Sequence, residues 1–143
     1  MKRPILWSVS SVLLLLFLAG CSGGTTTSGP QTVQITENEF SITSSISTFT
    51  AGIPYHFVVK NVGQTTHEFI IMPKDEGPMV GENMAQDHMY AMSLANIYKI
   101  DPGRTESMDY TFPNSTKGTH PQFVCYVGGH YDQGMKLNVN VNQ

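Results

Sequence analysis

Three side chains with affinity for metal ions fall close together near the carboxyl terminus. Cys125 is followed after four residues by His130, and His130 after four more by Met135, within Cys-Tyr-Val-Gly-Gly-His-Tyr-Asp-Gln-Gly-Met. A further histidine, His67, follows the turn signal Asn61-Val62-Gly63 at the start of an apolar run. Taken singly, each has an ordinary reading: Cys125 an inert buried thiol, His67 a core or turn histidine, His130 a loop histidine, Met135 simple packing. Taken together, they offer one thiolate, two imidazoles and a thioether. With the thiolate and imidazoles in a plane and the thioether long and axial, such a set suits copper in both oxidation states. Soft sulfur stabilises Cu(I), and imidazole tolerates either state. Because a compact loop and one distant strand supply the groups, a rigid β framework can hold them while an electron moves.

The elements that must hold these groups read as strands. The chain has 143 residues, 40% of them apolar and 13% charged, enough for one domain around one core. From Gln31 onward, short runs of Val, Ile, Thr, Tyr and Phe are broken by Gly, Pro and Asn, with alternation of period two. Val33 and Ile35, then Phe40 and Ile42, read as half-buried strands, and Tyr55 to Lys60 and Phe69 to Met72 as strands ended by Asn61 and Pro73. Met108, Tyr110 and Phe112 alternate with polar neighbours, as do Leu137, Val139 and Val141. About seven or eight strands in this length predict an all-β, Greek-key β-sandwich. Gly81 to Leu94 is the exception: Met84, Ala85, His88, Met89 and Met92 at helical spacing after Asn83, a candidate cap, predict one short inserted helix.

The copper-type residues resemble those of the type 1 (blue) copper proteins, the cupredoxins, over a domain from about Gln31 to Gln143. The loop spacing is similar to that of auracyanin-, rusticyanin- and sulfocyanin-like members. The resemblance implies a cupredoxin-like sandwich, one type 1 copper per chain, and His67, Cys125, His130 and axial Met135 as its ligands. It also implies that His130 is the electron port, its ring edge in an apolar surface patch formed in part by Gly128, Gly129 and Tyr131. The family often carries Asn directly after the first histidine, where it secures the cysteine loop by hydrogen bonding; here Glu68 stands in that slot. His56, between Tyr55 and Phe57, and His120, before Pro121, read as structural or solvated.

Ahead of the domain, Lys2 and Arg3 precede an apolar stretch from Ile5 to Ala19, the charged and apolar regions of a secretory signal. The stretch is shorter than the roughly 20 apolar residues that a spanning helix needs. It ends in Leu18-Ala19-Gly20-Cys21, which resembles the bacterial lipobox. Residues 1–20 are therefore expected to be a lipoprotein signal peptide, Cys21 the acylated residue, 21–30 a flexible tether and 31–143 the cupredoxin domain. The alternative makes Cys21 an ordinary secreted cysteine paired with Cys125. Without Lys2 and Arg3, 6 of the 8 basic residues remain against 11 acidic ones, a net charge of -5. No Lys/Arg cluster offers a footprint for nucleic acid. The absence of any C-x-x-C pair excludes a zinc ribbon or a thioredoxin-type redox site.

These readings lead to an expected monomer, lipid-anchored to a bacterial membrane, periplasmic or on its outer face, and not an enzyme. Its expected role is to carry single electrons by Cu(II)/Cu(I) cycling between redox proteins such as a c-type cytochrome or a membrane oxidase or reductase complex. An oxidase or nitrite reductase needs further copper ligands and more chain, and a binuclear centre needs a second loop cysteine. The rival is a protein of copper delivery or resistance. The cluster of Met79, Met84, His88, Met89 and Met92 favours it, because Met84, His88 and Met92 share one helix face and suit an accessory Cu(I) site or a docking patch. The other reading of the same cluster is adaptable core filler.

Overall fold

In the computed structural model, residues 29–74 and 86–142 are described. Cys21 and the signal segment, Met79, Met84 and the first part of the expected helix lie outside the described residues, as does the side chain of His88. The elements run β1 (Gln31–Asn38), β2 (Ser41–Ser44), β3 (Thr48–Thr50), β4 (Pro54–Asn61), β5 (His67–Met72), α1 (Gln86–Met92), β6 (Ala95–Ile100), β7 (Thr105–Thr111), a 3-10 turn (Asn114–Thr116), β8 (Gln122–Val124), β9 (Lys136–Asn138) and β10 (Asn140–Asn142). One four-stranded sheet has the order β2-β1-β4-β7, the other β6-β5-β8-β9, and β10 pairs with β3. β1 lies parallel to β4 and β10 parallel to β3; the remaining pairs are antiparallel.

Alternation sets which side chains meet between the sheets. Val33 and Ile35 of β1 and Tyr55, Phe57 and Val59 of β4 point inward, against Phe69 and Ile71 of β5 and Phe123 of β8. Edge and tilted ring contacts tie the layers together: Phe57 lies 5.9 Å from both Phe69 and Phe123, and Phe49 lies 5.0 Å from Phe112. β5 is buried at every position, because its other face is covered too. Ile70 and Met72 pack there with Val124, Tyr126, Tyr131 and Met89 of α1, while Tyr90 and Met92 close the edge. A strand covered on both faces reads as a continuous apolar run rather than an alternating one, and that is what Phe69 to Met72 shows.

Three expectations need correction. Phe40 belongs to no strand: it sits in the β1–β2 turn at φ 62, a left-handed conformation that costs an L-residue about 1–2 kcal/mol. The C-terminal alternating run is two strands, not one, because the chain crosses at Val139 from β9, beside β8, to β10, beside β3. With β3 and the weakly alternating β6, these splits bring the number of strands among the described residues to ten rather than seven or eight. The described part of the expected helix is α1, which ends two residues before Leu94, and Met89 and Met92 serve as packing against β5.

The turn before His67 is organised by one buried amide. Asn61 Nδ2 donates to the carbonyls of Thr65 (2.7 Å) and Ile100 (2.9 Å), and its Oδ1 accepts from the Gly63 N–H (2.8 Å). Ile100 is also the residue paired with His67 across β5 and β6. Asn61→Ala should lower the urea unfolding free energy by about 1–3 kcal/mol, the cost of stranding buried backbone groups. An unchanged midpoint would mean that the turn holds without it.

Candidate metal centre

Cys125, His130 and Met135 stand at the start, middle and end of one loop that folds on itself. The His130 N–H donates to Val127 O (2.8 Å), the Met135 N–H to His130 O (3.0 Å), and the Cys125 N–H to Met135 O (3.2 Å). Gly129 at φ 79 and Gly134 at φ 106 supply the left-handed turns this path requires. His67 is the first residue of β5 and enters from the neighbouring strand. Nδ1 of His67 lies 3.3 Å from Nδ1 of His130, and Sγ of Cys125 lies 4.0 Å and 3.5 Å from those two nitrogens. The structure thus brings together His67, Cys125 and His130, all buried. Met135 is fully buried in the same core cluster as Cys125, its backbone bonded to both Cys125 and His130.

The triangle fits a metal ion. Imidazole nitrogens about 2.0–2.1 Å and a thiolate about 2.3 Å from a first-row ion, spread in a plane, would stand roughly 3.5 Å apart for N···N and 3.7 Å for N···S. The observed N···N side, 3.3 Å, is slightly shorter, and the two N···S sides, 3.5 and 4.0 Å, bracket the expected value. Among the described residues no other group of His, Cys, Asp or Glu is so compact. Burial pushes the Cys125 thiol up to about 12, against the pull of the Glu68 and Val127 N–H groups, and the carboxyls of Glu37 and Glu68 add to the rise. Burial and then His130 hold His67 below its usual value, so the imidazole is neutral and ready to ligate at neutral pH. One thiol, two imidazoles and a thioether nearby compose the donor set of a type 1 copper site.

Glu68 secures this loop with a carboxylate where the family often uses an amide. Its Oε1 accepts the Tyr126 N–H at 2.9 Å and its Oε2 the Tyr90 hydroxyl at 2.7 Å. The side chain therefore binds the residue after Cys125 to α1. Burial, the larger influence, raises its pKa against the lowering effect of these two bonds. Sequence reasoning missed three further contributors. Phe40 places its ring edge-on to His130, centroids 5.6 Å apart, its carbonyl against Gly134. Glu39 accepts the Gln64 and Thr65 N–H groups in the turn before His67, and its carboxylate comes within 2.5 Å of where a Cβ on Gly63 would stand. Glu37, fully buried, was legible as a charged residue in an inward slot of β1 after Val33 and Ile35.

Tyr131 is not part of a surface patch. It is 2% exposed, stacks on Tyr126, donates its hydroxyl to Gln122 and carries Lys136 over its ring. Gly128 is exposed and Gly129 half-buried beside His130, which is itself 7% exposed. His56 and His120 stand apart from the centre, paired with Asp109 (2.6 Å) and Asn140 (2.8 Å).

No family model matches the chain. Among solved structures, the dithionite-reduced auracyanin of the photosynthetic bacterium Roseiflexus castenholzii superposes with a TM-score of 0.59 at 21% identity, covering 79% of this chain and 98% of that one. Auracyanin A, a "blue" copper protein of Chloroflexus aurantiacus, gives 0.57 at 22% identity over 80% of this chain and 100% of that one. The fold is that of the cupredoxins. A sequence relative adds to this: the copper-resistant cuproprotein CopI of Pseudomonas aeruginosa is 27% identical over 114 residues. That match covers 59% of this chain and 61% of CopI, so the chain spans about three-fifths of that relative's length. In this cupredoxin fold the donor triangle occupies the end where the 125–135 loop meets the start of β5.

Burial, with a lesser contribution from Glu68, raises the Glu37 pKa from the ordinary carboxylate value of 4.5 to about 8. The folded chain then keeps a proton that the unfolded chain releases, so stability is lost as pH rises through this window. Between about pH 7 and 8, above the midpoint near 6.5 of unfolded histidine, the metal-free protein should lose urea resistance with rising pH. Glu37→Gln should flatten much of that slope; an equal slope in both proteins would place its origin elsewhere.

Proposed function

We propose that this chain is an extracytoplasmic type 1 copper protein that carries single electrons between redox partners, with His67, Cys125, His130 and Met135 as the residues that would hold one copper. The observation that carries this reading is the triangle of two Nδ1 atoms and one thiol, 3.3 to 4.0 Å on a side, enclosed by buried side chains. When bound, copper supplies a one-electron Cu(II)/Cu(I) couple. The chain's own work is to hold still. Cys125 would release its proton to solvent as it takes the metal, the backbone bonds of the loop keep His130 and Met135 in place, and Glu68 and Asn61 fix the two segments that meet. Water is kept out by the aromatic and aliphatic side chains around Cys125.

His130 is the proposed electron port. It is the ligand beside an exposed apolar group, because Phe40, whose ring stands perpendicular to its own at 5.6 Å between centroids, is 39% exposed. A redox protein such as a c-type cytochrome or a membrane oxidase or reductase complex would approach there. Cleavage before Cys21 and acylation of that cysteine would tether the domain to a bacterial membrane through residues 21–30, and two or more acyl chains suffice for stable anchoring. Among the described residues no helix is long and apolar enough to cross a membrane. The domain acts as a monomer and not as an enzyme in this reading.

The likeness to CopI favours a second reading, copper handling in resistance, in which the metal is cargo. Met84 and His88, together with Met89 and Met92, would then form an accessory Cu(I) site. Against it, Met89 is 6% exposed and packed on Ile70 and Met72. Anaerobic Cu(I) titration separates the two. An electron carrier should bind one equivalent, both in the native protein and after Met84, His88 and Met92 are replaced together by Leu. A second equivalent that the triple variant loses would favour copper handling.

A further inference from the structure

Among the described residues, three buried side-chain atoms have no hydrogen-bond partner: both carboxyl oxygens of Glu37 and Nε2 of His67. Glu37 is 0% exposed and so is His67. Burying a carboxyl without a partner is costly, as is burying an imidazole N–H without an acceptor. The two orphans lie at the same end of the sandwich. The alternation of β1 turns Glu37 inward, and its register partner in β4 is Asn61, the residue that organises the turn into His67. Asn61 in turn donates to Ile100 O, opposite His67. Glu37 is also close enough to act electrostatically on the Cys125 thiol and on Glu68.

The chemistry of the ligand side matches. Nδ1 of His67 faces Nδ1 of His130 and Sγ of Cys125, so a metal taken at that nitrogen leaves the ring proton on Nε2. A metal-bound histidine almost always donates its other N–H to a carboxylate, a carbonyl or a water, and that partner fixes the tautomer and raises the basicity of the ligand. Within the described residues Nε2 of His67 has no partner, and the carboxyl of Glu37 is the buried acceptor left over.

We propose that Glu37 is a positioning residue for the copper centre, accepting the Nε2–H of His67 on a carboxyl oxygen once Nδ1 is committed to the metal. This rests on the copper-site reading above and extends it to a residue in β1, 30 positions before the first ligand in the sequence. A more basic His67 favours Cu(II) over Cu(I), so Glu37 holds the reduction potential down. The same carboxyl is a liability to the metal-free fold, which separates this role from a structural one.

The test compares the copper-loaded native protein with Glu37→Leu and Glu37→Gln. In the Cu(I) form of the native protein, nuclear magnetic resonance should show a nuclear Overhauser effect between the His67 Nε2 proton and the Glu37 γ protons. Glu37→Leu should lower Cu(II) affinity by about 10–100-fold and raise the reduction potential, while its metal-free form is at least as resistant to urea as the native protein. Glu37→Gln keeps an acceptor oxygen and should recover most of both copper properties. Absence of the Overhauser effect overturns the proposal, as does unchanged affinity and potential in Glu37→Leu. A Gln variant as impaired as the Leu variant overturns it too, since the effect would then belong to charge rather than to the hydrogen bond. If Glu37→Leu fails to fold, the Overhauser effect in the native protein decides alone. Failure of the native protein to bind copper at all would overturn the copper-site reading itself, a result distinct from native copper binding with no response to Glu37.

Discussion

The meeting of the 125–135 loop with the first residue of β5 is the contact on which the rest of the structure depends. It places two imidazole nitrogens 3.3 Å apart and a thiol within 4.0 Å of both, in a space that excludes water. Such an arrangement is unfavourable by itself, since neutral donors and acceptors are crowded where solvent cannot compensate them. The surrounding protein overcomes that with bonds and packing that have little to do with the three side chains. The aromatic core locks β5 against β4 and β8, Asn61 and Glu39 shape the turn into His67, and the loop's own backbone bonds close Met135 onto Cys125.

Glu68 shows how one such connection can be made with a different side chain. An amide following the first histidine can donate as well as accept, whereas a carboxylate only accepts. Here both oxygens are used, one on the Tyr126 N–H and one on the Tyr90 hydroxyl. The second bond recruits α1, so a helix outside the sandwich becomes part of the framework of the cysteine loop. That helix is seated by Met89 against the outer face of β5. The methionine-rich segment is therefore joined to the centre mechanically in its described part, through packing and one hydroxyl.

How much of this could be read from the sequence follows from where the information sits. Cys125, His130 and Met135 were legible because they lie within one short loop, and His67 because a turn signal precedes an apolar run. The strands of the two facing sheets were legible wherever one face is wet. Alternation reports burial and not pairing, which is why the run from Leu137 to Val141 hid a crossing from one sheet to another. Phe40 was hidden because a left-handed turn, not a strand, aims its ring at His130. Tyr131 follows a ligand in sequence but turns inward, since Tyr126 offers it a stack and Gln122 of β8 a hydrogen bond. Glu37 left a visible trace, a charged residue in an apolar register, whose meaning depends on what stands opposite it in space.

The central claim is that the buried triangle of His67, Cys125 and His130 takes up a single copper through a thiolate bond. The most direct measurement is the visible absorption spectrum and copper content of the chain from Gln31 onward after stoichiometric addition of Cu(II). The account predicts one copper per chain and an intense band from charge donation by the Cys125 thiolate, bleached on reduction and absent in Cys125→Ser. A colourless Cu(II) protein, or a band that survives in Cys125→Ser, would contradict it.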